Sequence, residues 1–156
     1  MKSNKGITLT SLVIYIICLT IVIGLMSNFT GYFFKNTKEV TISQNADEQY
    51  TKFLSYITKD VNTDCLIYIK TGVDDVNNVD YIIFKFETGI EHQYVLASEN
   101  IYYISIENQN EKKITMCENV KRSANNIPVF SYENSKIDIN FNIKEENFTT
   151  TLSVNI

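Results

Sequence analysis

Gly6-Ile7-Thr8-Leu9-Thr10-Ser11-Leu12-Val13-Ile14-Tyr15-Ile16-Ile17-Cys18-Leu19-Thr20-Ile21-Val22-Ile23-Gly24-Leu25-Met26 decides how this chain folds. Twelve of the residues from Ile7 to Met26 are Ile, Leu or Val, and no Asp, Glu, Lys or Arg occurs from Gly6 through Phe34. A bilayer core takes about 20 apolar residues as helix. At about −0.3 to −0.6 kcal/mol for each Ile, Leu or Val near its centre, twelve of them contribute roughly −4 to −7 kcal/mol towards insertion. The scattered Ser and Thr do not cancel this, because their hydroxyls bond back to the carbonyl four residues earlier in the same helix. A buried helix of a soluble protein is the alternative, but such runs usually stop at about 10–14 residues. The sequence therefore predicts a membrane helix.

The residues before it form a short basic leader, Met1-Lys2-Ser3-Asn4-Lys5-Gly6. A secretory signal is cut after its apolar region, at small residues of the A-x-A kind, and nothing between Met26 and Lys38 reads that way. The apolar segment is expected to be kept. The chain has 156 residues, which leaves about 100 beyond the helix, one domain's worth. A formal net charge of −4 argues against nucleic acid as a partner, since that needs a basic surface to displace counterions.

From Ser27 to Asp60 there is no Pro and only Gly31, so nothing breaks the helix as it leaves the membrane. Ile42, Ala46, Tyr50, Phe53, Leu54, Ile57 and Val61 recur at three- and four-residue steps among charged and polar residues, which makes one apolar stripe. A helix from Ile7 to about Asp60 would be roughly 80 Å long. Beyond it the period changes to two. Ile82, Phe84 and Phe86 lead through Thr88-Gly89 to Gln93–Leu96 as a hairpin. Ile101–Glu107 and Lys113–Cys117 flank a polar turn at Asn108–Glu111, and Ile137–Ile143 pairs with Phe148–Ile156. Asp74–Asn78 and Lys121–Asn126 read as loops. A sheet with one dry face and a helix with one dry stripe cover each other. The expected class is α+β, a long N-terminal helix packed on a C-terminal antiparallel sheet in a lollipop outline. Its segments are a leader (1–6), a membrane half of the helix (7–26), an amphipathic half (27–61) and a β-sheet domain (62–156).

A basic leader ending in Gly, a retained apolar helix, an amphipathic continuation and a C-terminal sheet together resemble the type IV prepilins and type II secretion pseudopilins. The matching residues are Lys5-Gly6-Ile7-Thr8-Leu9-Thr10-Ser11-Leu12, and the helix-then-sheet order covers the whole chain. The resemblance implies that a membrane prepilin peptidase cuts between Gly6 and Ile7, with Lys2 and Lys5 as the leader charges, and N-methylates Ile7. It also implies partners: other pilins or pseudopilins through the N-terminal helix, lipid before assembly, and indirectly an assembly ATPase and a platform protein. Two positions depart from the family pattern. Ile7 stands where most members have Phe, and Ser11 stands where the fifth mature residue is usually Glu. That Glu neutralises the amino terminus of a neighbouring subunit, which would otherwise be an unpaired charge in an apolar bundle. Its loss points to a minor pilin of a pilus, competence or secretion filament, and the resemblance places the leader in the cytoplasm and the C-terminal domain outside. Lysines on both sides of the apolar run, Lys2 and Lys5 against Lys35 and Lys38, barely discriminate orientation by themselves. The competing reading is a single-pass anchored protein that binds an extracellular ligand and never polymerises.

Chemistry-bearing residues are few. Cys18 lies in the apolar run, while Cys65 and Cys117 border strand-like segments; these two either pair across the sheet in an oxidising exterior or stay as small buried thiols. Asp74, Asp75, Asn77, Asn78 and Asp80 lack the register and glycine of an EF-hand, and an Asx-rich turn accounts for them. His92 is the only histidine, on a strand edge, so a multi-histidine metal site is excluded. There is no nucleophile elbow, P-loop, dinucleotide glycine pattern or zinc-protease motif. The expectation is a structural protein, not an enzyme, with no cofactor and no metal.

Overall fold

The computed structural model describes residues 5–74, 79–123 and 127–154. The fold is α+β: a long N-terminal helix, α1 (Lys5–Val61), precedes nine strands, and the C-terminal part of the helix packs on antiparallel sheet. The chain divides into two compact units at the Ile42–Ser43 junction.

In the first unit α1 is a bare apolar rod. Leu12 is 55% and Phe29 71% exposed, and every side chain from Leu9 to Phe34 stands clear of the protein. Thr20, Ser27 and Thr30 donate to the carbonyls of Ile16, Ile23 and Met26 at 2.7–2.9 Å, so these hydroxyls are satisfied within the helix as the sequence predicts. Among the described residues one helix is long and apolar enough to cross a membrane.

In the second unit the same helix turns amphipathic. Ala46, Phe53, Ile57 and Val61 are buried and Tyr50 and Leu54 partly so, whereas Ile42, expected in the stripe, is exposed. The first sheet is a meander of five strands in the order β1 (Leu66–Asp74), β2 (Val79–Phe86), β3 (Glu91–Ala97), β4 (Asn100–Glu107) and β5 (Asn110–Glu118). The second is built on β8 (Lys136–Ile143), which β9 (Glu146–Ser153) follows along one side; β6 (Val120–Arg122) and β7 (Phe130–Glu133) share the other. The helix contributes residues to both. The Phe53 ring lies 5.7 Å from Tyr94 of the first sheet and 5.5 Å from Phe141 of the second, both edge to face. Each such pair adds about 0.5–1.5 kcal/mol beyond the area it buries.

One close fit and one turn conformation shape the first sheet. Gly72 on β1 faces Tyr81 on β2, and a Cβ there would collide with the tyrosine ring, so the ring occupies the space a side chain would take. Gly89 holds φ +80° in the β2–β3 turn, a conformation that glycine adopts without steric cost.

Some sequence readings change, and the alternative left open for the cysteines is resolved. Lys121 and Arg122 are in β6 rather than a loop. His92 lies near the start of β3, the central strand of its sheet, not on an edge. Cys65 and Cys117 do not pair; both are free thiols. Cys65 precedes β1 at one edge of the meander and Cys117 belongs to β5 at the other, four strand spacings or roughly 19 Å across, whereas a disulfide needs Cα atoms within about 7 Å.

Candidate functional site

The residues from Ser43 onward gather their polar chemistry at the C-terminal end of α1. Asp60 continues the stripe of Phe53 and Ile57 by one more three-residue step, so the helix carries a carboxylate into the core, where it is 5% exposed. Two bonds hold it. The Tyr94 hydroxyl donates to Oδ2 at 2.7 Å, and His92 Nδ1 lies 2.9 Å from Oδ1. An ionised carboxylate only accepts, so the proton of that second bond sits on Nδ1 and fixes the imidazole's orientation.

The same acid shapes the phenols around it. Burial and then the charge of Asp60 push Tyr94 far above the ordinary phenol range, and the same two causes push Tyr103 up to about 12. Both stay neutral, and Tyr94 acts as a donor to Asp60.

Beside Asp60 opens a cavity of about 490 Å³, within the range of small-molecule sites. Four rings wall it in sequence. Tyr56 and Tyr103 stand 5.3 Å apart at 70°, Tyr103 and His92 5.1 Å at 62°, and His92 and Phe86 4.9 Å at 66°. Asp60 and Cys65 also line it, with exposed Lys59 at its mouth.

A second buried acid joins the two sheets. Asp80, on the dry face of β2 in phase with Ile82, Phe84 and Phe86, is fully buried. Arg122 grips it with two bonds, Nε to Oδ2 at 3.0 Å and Nη2 to Oδ1 at 2.6 Å, and the Val129 amide donates to Oδ2 at 2.9 Å. This fork-on-carboxylate geometry is among the stronger polar contacts available to a protein. It also takes Asp80 out of the Asx-rich cluster, whose residues 75–78 lie outside the described residues; Asp74 ends β1. Among the described residues no three His, Cys, Asp or Glu side chains group closely enough to hold a metal ion.

Cys117 is fully buried and its thiol points to the Gln49 carbonyl at 3.6 Å. Burial raises that thiol to about 12, which leaves it protonated and unreactive. Of the residues expected to be processed, Gly6 and Ile7 fall within α1, which starts at Lys5; Lys2 lies outside the described residues. Ser11 is exposed on the helix, distant in sequence from the acid centre. Sequence reading passed over Asp60, Tyr94 and Arg122 and placed Asp80 in an Asx-rich turn, although the two acids carried a signal: each interrupts an apolar period on its buried phase.

Comparison of the chain with known protein families, with curated proteins and with solved structures finds no match.

Proposed function

We propose that this protein is a minor pilin or pseudopilin, a structural subunit of a type IV pilus, competence or secretion filament. The observation that carries the reading is the character of α1: charge-free and apolar on all sides near its start, then amphipathic where it joins the β-domain. A helix hydrophobic all round needs an apolar environment. Lipid supplies one before assembly, and neighbouring copies of such helices supply the other afterwards. Subunits that meet through unlike patches without closing a ring build a helical filament.

In this proposal prepilin peptidase removes residues 1–6 and methylates Ile7, and the β-domain is displayed outside the membrane. An assembly ATPase and a platform protein drive extraction indirectly. Ser11 cannot neutralise the amino terminus of a neighbour, which suits a subunit with few such neighbours, at or near the filament end.

Changing Gly6 to Leu in cells that express the peptidase tests processing. The original chain should run shorter than the variant, which keeps its leader; equal full-length migration of the two overturns the reading. A membrane-anchored binding protein that never polymerises is the second reading, favoured by Ser11 and by the cavity beside Asp60. It predicts that the chain stays with the membrane fraction when surface filaments are sheared away.

A further inference from the structure

We infer that the cavity beside Asp60 is a binding site for an organic ammonium group. The walls supply the first half of the argument. Tyr56, Tyr103, His92 and Phe86 follow one another at 62–70° between ring planes and 4.9–5.3 Å between centroids, so successive rings turn a corner instead of stacking flat. Rings at these angles all line one cavity without covering one another flat, which leaves ring surface for an alkylated ammonium.

The floor supplies the second half. Asp60 is a carboxylate at 5% exposure that also lines the cavity. Tyr94 and His92 each occupy one of its oxygens, yet a carboxylate has about four acceptor positions, so two bonds do not exhaust it. Fixed in place by those bonds, it offers negative charge where a guest would lose its water. Such a charge attracts more strongly in a partly dry site than in open solution.

The remaining cation at the mouth is Lys59, which is exposed and on a flexible stem. Its ammonium belongs in water and competes with a guest for the same field, so removing it should tighten binding. A cavity of about 490 Å³ admits a trimethylammonium head with a short polar tail. The site is independent of whether the chain enters a filament.

The test uses the tag-free full chain in a polyoxyethylene detergent, which carries neither ammonium nor sugar. Because His92 is the only histidine, its ring resonances report the cavity without ambiguity. Choline is titrated against its uncharged isostere 3,3-dimethylbutan-1-ol and against glucose. Saturable shifts of the His92 ring with choline are expected, and the uncharged isostere should bind about 2- to 30-fold more weakly, the span of one cation–π contact. Tyr56→Leu, at an exposed ring, should weaken choline over the same span, Tyr56→Phe should keep the affinity, and Lys59→Ala should raise it. Equal binding of the isostere would reduce the site to a greasy hollow and overturn the assignment. So would shifts with glucose alone, or no saturation with choline.

Discussion

Asp80 and Asp60 are the two charged side chains buried among the described residues, and each is stabilised by partners the linear order of residues does not reveal. For Asp80 the partner is Arg122, 42 residues away, bound through its Nε and Nη2. Removing one member of such a pair leaves an uncompensated charge in the core, at a cost of about 3–5 kcal/mol. Arg122→Met should therefore lower the unfolding free energy of the detergent-solubilised chain by about that amount in a urea titration followed by tyrosine fluorescence. Arg122→Lys, which keeps the charge but not the fork, should lose less. A loss below about 1 kcal/mol for Arg122→Met would mean that Asp80 is not held as a charge by this contact. Half of this arrangement was legible beforehand. An acid at the position where Ile82, Phe84 and Phe86 set the buried phase must have a partner, but periodicity cannot say which cation supplies it. The same holds for Asp60 after Phe53 and Ile57, whose partners come from the facing β3.

Elements defined by local pattern were the most readable part of the chain. The membrane-length run, the continuous α1, the amphipathic stripe and most of the strands follow from periods of 3.6 and two residues. The hairpins β2–β3, β4–β5 and β8–β9 were read from the same pattern, but the order of strands in the sheet was not, because it depends on contacts far apart in sequence: β3 turned out to be central, so His92 is not at an edge, and β1 and β5 lie too far apart for Cys65 and Cys117 to bond. The turns were legible only in part: Thr88-Gly89 and the polar stretch Asn108–Glu111 each hold one as read, whereas Ser98-Glu99 was passed over. The β3–β4 link consists of Ser98 and Glu99, at φ 52° and 60°, and the β4–β5 link of Asn108 and Gln109, at 49° and 67°. Two consecutive residues at positive φ make a tight hairpin that favours Asn-Gly, and Ser-Glu gives no such signal. Its Cβ atoms cost about 1–2 kcal/mol per residue in that conformation. Ser98→Asn together with Glu99→Gly should raise the midpoint of thermal unfolding, by about 1 kcal/mol in stability. Among the described residues the side-chain contact given up is the exposed Glu99–Lys121 pair at 3.7 Å, which contributes little. An unchanged or lower midpoint would show that the turn is not strained.

For the whole molecule, the consistent account is an α+β protein whose second unit has its own aromatic core and whose first unit is an apolar helix exposed from Leu9 to Phe34. Exposed apolar surface of that extent requires lipid or other helices around it. The fold class was legible because both halves of it are written in hydrophobic period, whereas the acid centre and its cavity arise only when helix and sheet meet. In the proposed filament the two units would serve one function: the helix would supply the inter-subunit contact and the β-domain would be what the surroundings encounter. The most direct measurement is intact-mass spectrometry of the chain recovered from sheared surface filaments of cells that express prepilin peptidase. The account predicts a species that begins at Ile7 and carries one added methyl group. Recovery of Met1-containing chain alone, or absence of the chain from the filaments, would contradict it.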